Sequence, residues 1–212
     1  MNIQYRGLRT TLSLREKFMA FDFVLFFSVL TLGIISMFAI YSSSGGNFDY
    51  HTKSHILRFS IFFLLFIIIS FFNLRFWYQT SFLIYLFFFI LLLSVKYFGL
   101  TSSGSQRWIN LYIINLQPSE LMKVGLILFL ARYYHRTPSS DVNKLTSLFF
   151  PIVALLAPVL LVITQPDLGT SILIAAGGVI VVWLAGVKVK FFAYLSLLFV
   201  ALAPIAISFL KP

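Results

Sequence analysis

Phe23-Val-Leu-Phe-Phe-Ser-Val-Leu-Thr-Leu-Gly-Ile-Ile-Ser-Met-Phe-Ala-Ile-Tyr41 contains no charged side chain. A bilayer core takes about 20 apolar residues as a helix, whereas the apolar core of a cleaved signal peptide has only about 7–15. The run is too long for a leader and holds no small-residue cleavage site. It reads as a retained membrane span. Similar runs follow at Ile56–Phe72, Phe76–Val95, Ser119–Tyr134, Leu148–Thr164, Thr170–Gly186 and Phe191–Leu210. The expected fold class is therefore all-α, a polytopic transmembrane helix bundle of about seven spans. Residues 1–19, with Arg6, Arg9, Arg15 and Lys17, form a basic tail, and 20–212 form a single transmembrane domain.

Composition agrees. Hydrophobic residues make up 60% of the chain and charged ones 10%, with 26 Phe and a mean hydropathy of +0.97. A soluble core of this size has no use for so much apolar surface. Cysteine is absent, which excludes disulfides and thiolate chemistry, and three scattered His make no metal-ligand pattern. The net charge of +10 is spread over short loops. It carries topology rather than a nucleic-acid patch.

With a cytoplasmic N-terminus, the inside carries Arg6, Arg9, Arg15, Lys17, Arg75, Arg132, Arg136, Lys144, Lys188 and Lys190. The outside carries Lys53, Arg58, Lys96, Arg107 and Lys211, and Lys123 stays within a span. Ten against five favours that orientation. The loops around Arg107 and Gln165 then face outward.

The polar exception to the apolar runs is Gly104-Ser-Gln-Arg107-Trp108-Ile-Asn110 through Gln117-Pro118-Ser119-Glu120-Leu-Met-Lys123. Pro118 suits the first turn of a helix, where its missing N–H has no partner to lose. Glu120 then sits where the helix dipole favours an anion. Lys123, three residues on, can pair with it. Charges at the mouth of a membrane helix are functional candidates by default, and a structural staple is the plainer alternative. A second cluster, Gln165-Pro166-Asp167-Leu168-Gly169-Thr170, echoes the first: Gln-Pro, an acid within two residues, then Leu. Two helix N-termini open on one surface, and both favour phosphate oxygens. Equally, Asp167 is a helix cap and Gln-Pro is turn chemistry.

Other polar residues read as structural. Asp22 reaches the interface or a tail Arg, and Arg58 snorkels outward on its long stem. His51 and His55 are read as residues of the first outer loop and His135 as a residue of the third cytoplasmic loop. Pro151 and Pro158 interrupt the fifth span and kink it, which opens a cavity. Gly177-Gly178 allows close packing.

The motifs Gly104-Ser-Gln-Arg107-Trp108-Ile, Gln117-Pro118-Ser119-Glu120-Leu-Met-Lys123 and Gln165-Pro166-Asp167-Leu168-Gly169-Thr170, in this order, resemble the SEDS family (shape, elongation, division and sporulation). The likeness runs from about residue 12 to the end of the chain. Leu14-Arg15-Glu16-Lys17, Tyr41-Ser-Ser-Ser-Gly-Gly46 and Gln-Pro-Asp-Leu favour its elongation branch over its division branch. The resemblance implies a ten-span bacterial inner-membrane protein that polymerises lipid II into glycan strands. Implied partners are a class B penicillin-binding protein as transpeptidase and other elongation-complex membrane proteins. It also implies that Glu120, Lys123 and Asp167 line a catalytic cavity and that Arg107 holds phosphate. Trp108, Gln117, Ser119 and Gln165 belong to the same matched motifs and are expected to bind substrate. The cofactor allowed by this reading is a divalent cation at Asp167. The chain ends at Pro212 after the seventh span, so the family's large outer loop, with its presumed catalytic Asp, and the last three spans are expected to be missing. Two rivals stand beside the polymerase: a lipid flippase or transporter, and a non-catalytic scaffold of the elongation complex.

Overall fold

A helix in hydrocarbon satisfies its own backbone, which leaves only its two ends and any proline gaps to be matched by side chains. The computed structural model of the chain describes residues 14–19, 21–102, 105–110 and 115–194, and it shows how each of these is dealt with. The elements in order are α1 (Leu14–Met19), α2 (Phe23–Ser43), α3 (Tyr50–Ser70), α4 (Leu74–Phe98), β1 (Leu100–Ser102), β2 (Ser105–Asn110), β3 (Asn115–Leu116), α5 (Pro118–Arg136), α6 (Leu145–Thr164) and α7 (Leu168–Leu184). Four of them, α2, α3, α4 and α6, are long and apolar enough to cross a membrane, and α7 is a shorter apolar helix. The sixth long helix, α5, carries Glu120, Lys123, Arg132 and Arg136. The expected seventh span, Phe191–Leu210, begins in residues 189–194, which are helical, and otherwise lies outside the described residues.

The chain divides into two compact units, Met1–Trp77 and Tyr78–Pro212. In the first, Asp22 caps α2 by accepting from the Leu25 N–H at 2.9 Å, so its role is structural, as the sequence suggests. Asp49 caps α3 in the same way through the Thr52 N–H at 2.8 Å. Between the two helices, Gly45 and Gly46 take φ of +68° and +76°, the left-handed conformation that glycine adopts without a Cβ clash. They reverse the chain so that α2 and α3 pack together.

In the second unit the core is built from α5, α6 and α7, with Leu92 of α4. Met122, Leu126, Leu130, Val162 and Ile174 are almost wholly buried. Gly178 is what lets α7 close on α5 and α6: a Cβ there would run into Leu155 Cδ1 and come within 3.2 Å of Leu126 Cδ2. Its neighbour Gly177 meets nothing closer than Ile127, at 3.8 Å. Asn143 ties the α5–α6 loop to the end of α7, donating to the Gly186 carbonyl and accepting from the Lys188 N–H.

Both prolines of α6 lie inside one continuous helix, on its buried face. A proline has no N–H, so it leaves the carbonyl four residues earlier without its helical donor. For Pro151 that carbonyl belongs to Ser147, and for Pro158 to Ala154. Each is met by a tyrosine hydroxyl. Tyr133 of α5 donates to Ser147 O at 2.8 Å, and Tyr85 of α4 donates to Ala154 O at 2.9 Å. A cavity of about 330 Å³ does lie beside Pro151, lined also by Tyr134, Leu155 and Val182.

Outside the helices, the three strands form a small antiparallel sheet in the order β1-β2-β3. Gln106 pairs with Thr101, and Asn110 with Asn115. The sequence motifs assign no strands to this stretch. The sheet is too small to alter the all-helical class, but it decides where Arg107 goes.

Candidate functional site

Two helices begin side by side at the site. Gln117 is the N-cap of α5, followed by Pro118 at its first position, and Asp167 is the N-cap of α7. The Asp167 carboxylate Oδ1 accepts from the Thr170 N–H at 3.2 Å, the bond that an N-cap acid makes to the third residue of its helix. Its Oδ2 faces the other way and accepts from Gln117 Nε2 at 3.4 Å. One cap is therefore hydrogen-bonded to the other.

The same oxygen lies 3.4 Å from Arg107 Nη1. Arg107 sits on β2, whose pairing with β1 and β3 carries the residue over the start of α7. There its Nη2 also donates to the Pro166 carbonyl at 3.2 Å. Asp167 is buried, with 8% of its side chain exposed against 31% for Arg107. A buried carboxylate is costly unless it is paired and hydrogen-bonded, and Asp167 receives three donors. Arg107 Nε is buried with no partner among the described residues, so the guanidinium keeps a donor in reserve.

One turn along α5, Lys123 Nζ meets Glu120 Oε2 at 2.8 Å. Glu120 is the third residue of the helix and half exposed, while Lys123 is three-quarters buried. The carboxylate near the helix N-terminus is favoured by the dipole, and it orients the ammonium on the same face. The Glu120–Lys123 pairing expected from spacing is present.

Not every matched residue turns inward to the same place. Ser119 is buried within the first turn of α5. Trp108 is exposed on β2, in register with Leu100. Gln165 is buried and donates to the Leu92 carbonyl of α4 at 3.4 Å, so its amide serves packing. Gln106, which no sequence signal singles out, bonds the Gly99 carbonyl at 2.7 Å and fixes the ribbon to the end of α4. His135 packs edge-on against Tyr78, a structural role.

A divalent cation does not suit this arrangement. Among the described residues no three His, Cys, Asp or Glu come together, and a guanidinium already occupies the open side of the Asp167 carboxylate. A metal there would have to displace Arg107. The described site therefore consists of two ion pairs, Arg107–Asp167 and Lys123–Glu120, at the starts of α7 and α5.

The family model of the FtsW/RodA/SpoVE cell cycle proteins matches residues 18–212. The chain belongs to this family. Peptidoglycan glycosyltransferase MrdB of Escherichia coli K12 is 40% identical over 121 residues, 57% of this chain and 32% of that protein. A probable peptidoglycan glycosyltransferase FtsW of Buchnera aphidicola subsp. Schizaphis graminum is 31% identical over 163 residues, 77% of this chain and 46% of its own length. Among solved structures, rod shape determining protein RodA of Thermus thermophilus aligns with a TM-score of 0.70 and 26% identity, over 84% of this chain and 60% of that one. A chain from a study of a peptidoglycan synthase complex aligns with a TM-score of 0.75 and 26% identity, over 91% of this chain and 56% of that one. The chain thus spans about a third to a half of the length of the MrdB and FtsW relatives. As a FtsW/RodA/SpoVE protein with several apolar helices, it is a multi-pass protein of the bacterial inner membrane.

Proposed function

We propose that this chain supplies the α5–α7 half-site of a peptidoglycan glycosyltransferase, an enzyme that polymerises lipid II in cell elongation. The single observation that carries the reading is the convergence of Arg107 and Gln117 on Asp167 at two adjoining helix N-termini, with the Glu120–Lys123 pair one turn along. Glycosyl transfer from a lipid diphosphate needs charge stabilisation where the leaving diphosphate develops negative charge. Lys123, Arg107 and the N-terminal amides of α5 and α7 supply it. Glu120 keeps Lys123 oriented. Asp167 has both oxygens engaged, so it acts as a positioning residue that holds Arg107 and Gln117 rather than as the base for the acceptor hydroxyl. That base comes from elsewhere in the working enzyme. Assignment to elongation rather than division rests on the N-terminal Leu14-Arg15-Glu16-Lys17 and the Gln165-Pro166-Asp167-Leu168 motif. A class B penicillin-binding protein is the partner that fits this reading, since one structural relative comes from a study of a peptidoglycan synthase complex.

The test is Lys123→Ala in a version extended to the full length of the relatives, assayed for glycan strands from lipid II in detergent. Loss of polymerisation with an unchanged elution profile is expected. Normal strand synthesis by that variant would sink the proposal. The detergent assay also separates the reading from a flippase, since no membrane is present to cross. A pure scaffold would tolerate neutral substitutions at Glu120, Lys123 and Asp167 together.

A further inference from the structure

On α3 the residues His51, His55, Arg58 and Phe62 follow one another at spacings of four, three and four, which places them along one face of the helix. With Ile40 of α2 and Phe59 they line an open recess of about 500 Å³. The glycosyltransferase motifs leave this recess unused, and it lies wholly within the first unit.

Arg58 is exposed two residues into the apolar run that starts at Ile56, in a helix long and apolar enough to span a bilayer. A guanidinium at the edge of a membrane span is favoured by an anionic counter-charge. Its Nε donates to the Ser54 carbonyl at 3.1 Å, so the side chain folds back one turn, to the level of the two histidines. Among the described residues no carboxylate forms an ion pair with it. His55 is held as a wall. Ser36 gives its one hydroxyl hydrogen to the Gly33 carbonyl at 2.7 Å, so the 2.9 Å contact with His55 Nε2 needs the imidazole N–H as donor. His51 is exposed at the outer turn. The recess has no Asp or Glu in its lining and no Asn, Gln or Trp to hold sugar hydroxyls.

We propose that this recess binds an anionic phospholipid. The Arg58 guanidinium anchors its phosphate, His51 is a second donor, and one acyl chain lies over Ile40, Phe59 and Phe62. The lining chemistry selects the occupant. An unpaired guanidinium above three apolar side chains matches a phosphate above a hydrocarbon tail. The inference is independent of the glycosyltransferase reading.

The test is native mass spectrometry of the 212-residue chain, released from detergent micelles doped equally with phosphatidylglycerol and phosphatidylcholine. Preferential retention of phosphatidylglycerol is expected. Arg58→Ala should lower it roughly fivefold, as one basic residue near an anionic lipid surface is worth, and Arg58→Lys should restore part of it. Equal retention of the two lipids, or a wild-type level in Arg58→Ala, overturns the proposal. If Arg58→Ala fails to fold, Phe62→Trp serves instead. Quenching of that indole by brominated phosphatidylglycerol more than by brominated phosphatidylcholine supports the site, and equal quenching refutes it. Displacement of phosphatidylglycerol by a polyprenyl diphosphate at lower concentration would give the recess to a different lipid and overturn the assignment.

Discussion

The hydroxyl of Tyr85 donates across 2.9 Å to the carbonyl of Ala154, the group that Pro158 deprives of its helical donor. Tyr133 stands in the same relation to Ser147 and Pro151. In a medium without water an orphaned carbonyl must find its donor within the protein, and here a neighbouring helix supplies it. Two prolines can therefore sit in the buried face of α6 because α4 and α5 present hydroxyls at the matching depths.

Tyr85→Phe should destabilise the protein by about 1–3 kcal/mol, the usual cost of leaving a buried polar group unpaired. The same change in a Pro158→Ala background should cost less, because the alanine N–H restores the helical bond to Ala154. A double-mutant cycle read by thermal unfolding in detergent measures this coupling. Additive effects would show that the hydroxyl is not serving the proline gap.

Gly178→Ala should cost about 1–3 kcal/mol, the range for overpacking a filled interior. The new methyl group would meet Leu155 and Leu126. Gly177→Ala should be neutral or mildly stabilising, since its nearest neighbour is at ordinary contact distance and alanine is the better helix former. Denaturation midpoints of the two variants check the contrast.

Asp167→Asn should keep the cap on α7, as Asn accepts from a helix N–H about as well as Asp does, while removing the charge that holds Arg107. Asp167→Ala should lose about 1 kcal/mol more, the usual worth of an N-cap. Unfolding of the two variants separates the capping role from the ion-pair role.

The Thr52 N–H, donating to Asp49, holds its carboxyl below the ordinary carboxylate value. A carboxyl whose folded pKa is depressed adds stability above its unfolded pKa and loses it as pH falls through the folded one. Capping of α3 should therefore persist at neutral pH and weaken only in acid, below the usual carboxylate range. Carbon-13 chemical shifts of the Asp49 carboxyl across an acid titration check the direction, and Asp49→Asn should abolish the acid dependence at this helix.

Much of this was legible in the sequence because apolar run length and the Gln-Pro-acid motifs act locally. The α2, α4 and α6 ranges follow from hydropathy, the α5 start from Pro118, and the Glu120–Lys123 pair from a three-residue spacing. By contrast, α3 begins at Tyr50, ahead of the apolar run at Ile56, because Asp49 caps a polar first turn. What could not be read is what depends on distant partners. Arg107 and Asp167 are sixty residues apart in the chain, and only the strand pairing of β2 brings them together. Gln165 looked like a second Gln117, yet its amide turns to Leu92 and not to the site. The prolines of α6 suggested a broken helix because nothing in their own neighbourhood shows that tyrosines from α4 and α5 fill the gaps.

Those gap-filling hydroxyls also impose an order on sequence change. If Pro158 is replaced first, Ala154 regains its own helical donor, and the later change of Tyr85 to Phe costs less. If Tyr85 changes first, the carbonyl is stranded at once. The pair is dismantled more cheaply from the proline side, so the proline leans on the tyrosine more than the tyrosine leans on the proline.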